Sequence, residues 1–280
     1  MVGWRILYQT IALAWQSDFH THILLVLPLS LFMILAERQL LRATASRSYR
    51  VGGSILLIAV AIGCCAWIWP GSLNEDTLLS VRMFALVLSW IGAFLLCFGL
   101  RPSRKLILPL LLLFGLVPLP RFALDSLIAL LQVASAWTAH ALFAVFRVPV
   151  FQQGILLTIP GLTIEVAREC SSIRSSSMLI VTLLVMAQVL LRSFWRKASI
   201  LFLALPLSIL KNGLRIFVIA MLGTRVDRGY LTGRLHHQGG VVFFAVALGF
   251  AFALLWLLRK REHLALPTGL KPVDGRTTGD

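Results

Sequence analysis

The groups able to do chemistry gather between Glu165 and Ser177, in the run Glu-Val-Ala-Arg-Glu-Cys-Ser-Ser-Ile-Arg-Ser-Ser-Ser at the mouth of an apolar segment. One thiol, two carboxylates, two guanidinium groups and five hydroxyls fall within thirteen residues. Setting that much polarity against a membrane helix is costly unless the groups serve a function. Cys170 is the nucleophile of this reading. A free thiol is mostly protonated at neutral pH, and a neighbouring imidazole or guanidinium lowers its pKa. His236, with His237 as second choice, offers a base that takes the thiol proton and returns it to a leaving amine. Arg215 offers a cation for an oxyanion or a substrate carbonyl. Arg174, Lys211, Asn212 and His22 are the polar groups assigned to substrate. Singly, each has a plainer reading. A lone cysteine near a helix is usually a packing residue, Lys211 and Arg215 can snorkel or pair with Glu165 or Glu169, and paired histidines at a helix entry are often only interfacial.

The elements that carry these residues are membrane helices. The chain has 280 residues, is 59% hydrophobic and has a mean hydropathy of +0.89. A soluble domain of this size cannot hide that much apolar surface. Apolar runs at 4–16, 23–37, 52–69, 79–100, 106–118, 172–191, 199–222 and 239–258 give an all-α polytopic membrane protein of about eight transmembrane helices. The net charge of +15 is concentrated in short loops after residues 37, 100, 191 and 258. That reads as topology and contact with anionic lipid, not nucleic acid. Under strict alternation these loops share one side and the acidic loop 70–78 takes the other. The positive-inside rule then makes the basic loops and both termini cytoplasmic, including a basic tail at 259–280. The loop 223–237, with Arg225, Arg228 and Arg234, is the exception that must lie outside. No small-residue cleavage site follows the first apolar stretch, so no cleaved leader is expected. Cys64, Cys65 and Cys97 sit in apolar runs and read as packing residues. With Cys170 they form neither a metal-ligand spacing nor a disulfide framework, and no metal or cofactor is expected.

Residues 121–169 break the pattern. Residues 122–146 are helical in character but carry Asp125, Gln132, Thr138 and His140, as if lying along the surface or re-entering it. Residues 148–168 are β-branched and are interrupted by Gly154 and Pro160-Gly161, which predicts two or three short strands. Open strands cannot sit in lipid, so the section forms a small extracytoplasmic cap.

This topology converges the site. Cys170 falls at the outer end of span 172–191 and His236 at the outer entry of span 239–258. Arg215 falls about 10 Å below the outer exit of its own span, at 1.5 Å per residue. His20 and His22 lie on the same side.

These residues resemble a known family. Glu169-Cys170-Ser-Ser-Ile-Arg174-Ser175 is similar to the Cys-Ser-Gly-x-Arg-Ser signature of exosortases and archaeosortases. Asn212-Gly-Leu-Arg215 resembles their Asn-x-x-Arg motif. His236-His-Gln-Gly-Gly240, followed by Phe243 and Phe244, resembles their His-x-x-x-Gly block in its bacterial form. Asp18-Phe-His-Thr-His22, Pro118-Leu-Pro120 and Val148-Pro-Val150 extend the likeness, which covers about residues 15–258. Ser172 stands where the family usually has glycine.

The resemblance implies a membrane-embedded exosortase-like domain over 1–258 in a bacterial plasma membrane. It implies a cysteine protease and transpeptidase whose nucleophile, arginine and histidine are Cys170, Arg215 and His236. Its expected partners are exported proteins ending in a short Pro-Glu-Pro-type motif, a transmembrane helix and a basic tail. The product passes through a thioacyl-enzyme to a surface acceptor, such as a polysaccharide or a lipid-linked group. The rival reading is a non-enzymatic transporter or assembly component of exopolysaccharide export, with Lys211 and Arg215 lining an anionic path.

Overall fold

The computed structural model describes residues 2–17, 19–39, 41, 49–69, 71, 73–100, 103, 106–166, 173–191, 193–227, 229 and 234–264, with backbone alone at 173–174, 194, 234–240 and 261–264. In chain order the helices are α1 (Val2–Gln16), α2 (Ile23–Ala36), α3 (Tyr49–Ile68), α4 (Glu75–Phe98), α5 (Ile107–Leu112, continued by the 3-10 turn Leu113–Leu116) and α6 (Arg121–Val145). Three strands follow: β1 (Phe151–Gln153), β2 (Leu156–Ile159) and β3 (Leu162–Glu165). The chain closes with α7 (Ile173–Leu190), α8 (Phe194–Arg225) and α9 (Arg234–Leu264).

Length and composition qualify five helices to cross a membrane: Tyr49–Ile68, Glu75–Phe98, Arg121–Val145, Trp195–Arg225 and Val241–Lys260. Shorter apolar helices occupy Ile23–Ala36, Ile107–Leu116 and Ser175–Leu190. Among the described residues five helices, rather than about eight, are therefore long and apolar enough to cross a membrane on their own. The segment set apart from the spans in the sequence, 122–146, is one of the five. Its few polar residues are spread thinly enough along α6 to leave it apolar overall. Phe122, Leu130, Trp137 and Val145 stand exposed on it, which suits a helix in contact with lipid. Cys64, Cys65 and Cys97 are also exposed, so these thiols face outward from the bundle instead of packing inside it.

Three larger apolar clusters lie among the described helices. The first joins α1, α2, α4 and α5 through Ala14, Val26, Met83, Val87 and Leu116. The second surrounds α8, which packs Ile216, Phe217 and Ala220 against α6 and the sheet. In the third, α8 packs Ile200 and Ala204 against α7 and α9. Phe217 meets Phe143 edge-on at 5.0 Å and Phe146 at 4.9 Å, contacts that add about 0.5–1.5 kcal/mol each beyond burial.

α6 ends in a Schellman arrangement. Arg147 takes a left-handed φ of 56°, and the Val148 amide donates back to the Phe143 carbonyl at 2.9 Å. Pro149 then forces extended chain and the sheet begins. Its order is β1-β2-β3, antiparallel throughout, with Phe151 opposite Thr158 and Leu157 opposite Ile164. Pro160-Gly161 turns β2 into β3, and Gly161 has a φ of 82°, as the third position of such a turn requires. The sheet thus confirms the short strands expected over 148–168.

Gly213 sets how closely α8 approaches α6. A Cβ there would lie 2.5 Å from both Cβ and Cγ2 of Thr138 and 3.1 Å from the Ala139 nitrogen. Gly213→Val is expected to cost about 1–3 kcal/mol as overpacking, read as a lower unfolding temperature in detergent. Thr138→Gly in the same chain should restore part of the loss. An unchanged unfolding temperature in Gly213→Val contradicts this packing.

Candidate functional site

Ser208, Lys211, Asn212 and Arg215 recur on α8 at i, i+3, i+4 and i+7, the spacing that places side chains on one helix face. In an otherwise apolar helix this is a polar stripe turned inward. Ser208, Lys211 and Asn212 are 1%, 5% and 1% exposed. The stripe is hydrogen-bonded on both flanks. Asn212 Nδ2 donates to Ser135 Oγ of α6 at 2.9 Å. Lys211 Nζ donates to Ser175 Oγ of α7, and the Ser176 and Ser208 hydroxyls bond to each other. Lys211 is therefore an interior residue that does not snorkel to the surface, and it pairs with no carboxylate among the described residues. A buried ammonium needs such a partner to offset its desolvation.

The layer extends along α6. Gln132, one turn before Ser135, donates from Nε2 to the Val166 carbonyl at 2.6 Å. The Val166 amide donates to the Ile155 carbonyl at 3.1 Å. Gln132 and Ser135 are 8% and 1% exposed. Two anchors thus bracket the chain between β3 and α7. Val166 is tied to α6, and Ser175 and Ser176 are tied to the helix that carries Arg215. The segment 167–172, with Cys170 and Ser172, lies outside the described residues.

The other site residues from the sequence fall as follows. Arg174 is the second residue of α7, and Arg215 lies one turn beyond Lys211 on α8. His236 and His237 are in the first turn of α9, which starts at Arg234. By polarity alone they read as a loop ahead of a span beginning at 239. His22 closes the turn between α1 and α2. Phe19 in that turn packs against Ile128 and Leu131 of α6, beside Ile209 of α8. The turn thereby reaches the α6–α8 pair next to Gln132 and Lys211. Among the described residues no cluster of His, Cys, Asp and Glu could hold a metal ion.

His20 and His22 carry a pH dependence. His20 is 6% exposed and shares a 3.0 Å hydrogen bond between Nδ1 and Ser17 Oγ. Its pKa lies below the ordinary 6.5, chiefly through burial, with the Leu119 backbone and Asp76 opposing. The pKa of His22 is lowered by burial and then by His20, with the Phe19 backbone opposing. Between the folded values and 6.5 the unfolded chain binds more protons, so the stability is fully present above 6.5 and is lost as pH falls through that window to the folded values. Thermal unfolding should therefore occur at lower temperature at about pH 5.5 than at about pH 7.5, and the double variant His20→Gln/His22→Gln should show a smaller drop. An equal drop in that variant places the titration elsewhere.

Residues 14–261, nearly the whole chain, match the family model described as transmembrane exosortase, EpsH type. The chain belongs to the transmembrane exosortase family. No curated protein and no solved structure matches it. This exosortase is thus a multi-pass membrane protein with a small three-stranded sheet, and its polar layer lies inside the matched region.

Gln132, Ser135, Ser176 and Ser208 were not singled out for the site from the sequence. Spacing was the available signal: Gln132 and Ser135 stand at i, i+3, and Ser208 extends the Lys211–Asn212–Arg215 face by one turn.

Proposed function

We propose that this exosortase is a membrane-embedded cysteine protease and transpeptidase acting on exported proteins that end in a short motif, a transmembrane helix and a basic tail. The observation that carries the proposal is the buried polar layer. It anchors both ends of the Cys170 segment, one of them to the helix bearing Arg215, within a chain that matches the exosortase family.

In the proposed reaction the thiol proton of Cys170 passes to His236, with His237 as second choice, and Sγ attacks the scissile carbonyl carbon. Arg215 stabilises the resulting oxyanion or orients the peptide. His236 returns the proton to the leaving amine as the C–N bond breaks, leaving a thioester on Cys170. An amine or hydroxyl of a surface acceptor, or water, then attacks the thioester and gives up a proton that restores the thiol. Arg174, Lys211, Asn212 and His22 hold the substrate chain. In this reading the site faces away from the cytoplasm in a bacterial plasma membrane, and both termini and the tail 259–280 are cytoplasmic. Within the domain 1–258, the cap at 148–168 shields the site.

The test is coexpression with an exported protein carrying such a C-terminus. Wild type should shorten it by the length of its terminal helix and tail on a gel. Normal shortening by Cys170→Ala would remove the nucleophile assignment and favour the transporter or assembly reading.

A further inference from the structure

Arg82 is a charged side chain within an apolar helix, away from the polar layer. It lies seven residues into α4, about 10 Å along the axis from Glu75. An arginine near a helix end ordinarily reaches toward water. Arg82 turns sideways to α3 instead. Nη2 donates to the Ala66 carbonyl at 3.3 Å, and the guanidinium lies 5.3 Å from the centroid of the Trp67 ring. Nε is buried with no hydrogen-bond partner among the described residues. A guanidinium has five N–H donors, so one long hydrogen bond leaves most of that capacity unused where water is scarce.

Arg82 lines a groove of about 520 Å³ between α1, α3 and α4. The rest of the lining is apolar or small, including Ile6, Val60, Gly63 and Leu86, and Arg82 is its charged member. Ala66 and Trp67 belong to the last turn of α3, where indole rings mark the level of lipid headgroups.

We propose that this groove binds an anionic phospholipid, its phosphate on the Arg82 guanidinium and one acyl chain along the groove. The planar fork of a guanidinium matches two phosphate oxygens. From Ile68 to Ala59 the groove follows α3 for about 13 Å, room for a length of acyl chain. The carboxylates at this end of α4 are Asp76, which is ion-paired with Arg121, and Glu75. The headgroup is therefore held by direct contact with Arg82 and not by a broad positive field, so binding saturates at one lipid. A choline headgroup brings its own cation to Arg82 and is the control.

The test is native mass spectrometry of the full-length protein in detergent, titrated with phosphatidylglycerol or phosphatidylcholine. Wild type should retain one phosphatidylglycerol under conditions that strip phosphatidylcholine. Arg82→Gln should weaken that retention about tenfold, and Arg82→Lys less, because a lysine keeps the charge but not the fork. Leu86→Trp, which fills the groove and keeps the guanidinium, should also lose the lipid, and it serves alone if Arg82→Gln does not fold. Equal retention of both lipids by wild type, or undiminished phosphatidylglycerol binding by a folded Arg82→Gln or Leu86→Trp, overturns the site.

Discussion

Cys170→Ala should leave the exosortase folded in the membrane and lower processing of an exported substrate by about 10⁴-fold or more, the scale seen when the nucleophile of a covalent catalytic unit is removed. Fold and activity should separate cleanly because the described anchors of this region belong to other residues. Val166 is held by Gln132, and Ser175 and Ser176 by Lys211 and Ser208. None of these contacts uses the thiol. Unfolding temperature in detergent should therefore match wild type, while the gel assay for the shortened product falls to background. Cys170→Ser should also be inactive, since a hydroxyl is a far poorer nucleophile beside a base tuned to a thiol. A Cys170→Ala variant that unfolds early would instead give the cysteine a packing role.

Arg215→Ala should lower kcat by about 10²–10³-fold, the cost of removing one oxyanion donor, and leave KM nearly unchanged. The split is the informative part. An arginine that merely held the substrate would raise KM, whereas one that acts on the transition state lowers kcat. Arg215 sits one turn beyond Asn212, whose hydrogen bond to Ser135 fixes this part of α8 on α6. Arg215→Lys should recover only part of the rate, because an ammonium lacks the planar fork. Asn212→Ala is the contrasting variant. It strands the buried Ser135 hydroxyl at a cost of about 1–3 kcal/mol and removes a substrate contact, so it should lower the unfolding temperature and raise KM with kcat little changed.

Much of this was legible in the chain, for physical reasons specific to each part. The membrane class followed from long apolar runs. The short strands follow from Gly154 and Pro160-Gly161 punctuating β-branched chain, and the structure places those two turns between β1 and β2 and between β2 and β3. α6 was harder to read because Asp125, Gln132, Thr138 and His140 look too polar for lipid when taken as a list. Gln132 directs its amide to Val166, Thr138 bonds back to the Ala134 carbonyl at 2.8 Å, and the outward face beyond Ser126 is apolar. Such internal bonding cannot be seen in a hydropathy pattern. The start of α9 was placed late for a similar reason. Arg234, His236 and His237 read as loop by polarity, yet the helix runs through them. The Asn212-Gly-Leu-Arg215 motif was found by resemblance. What the motif does, with Asn212 bonded to α6 and Gly213 admitting Thr138, needed the neighbouring helix.

The most direct measurement is to trap the acyl-enzyme. Wild-type exosortase would be mixed with a peptide spanning the cleavage motif and start of the terminal helix, quenched in acid, digested, and examined by mass spectrometry. The expected result is an acyl adduct on the Cys170 peptide that hydroxylamine removes, that forms more slowly in Arg215→Ala, and that is absent in Cys170→Ala. Cleavage of the peptide with no adduct on Cys170, and at the same rate in Cys170→Ala, would contradict it.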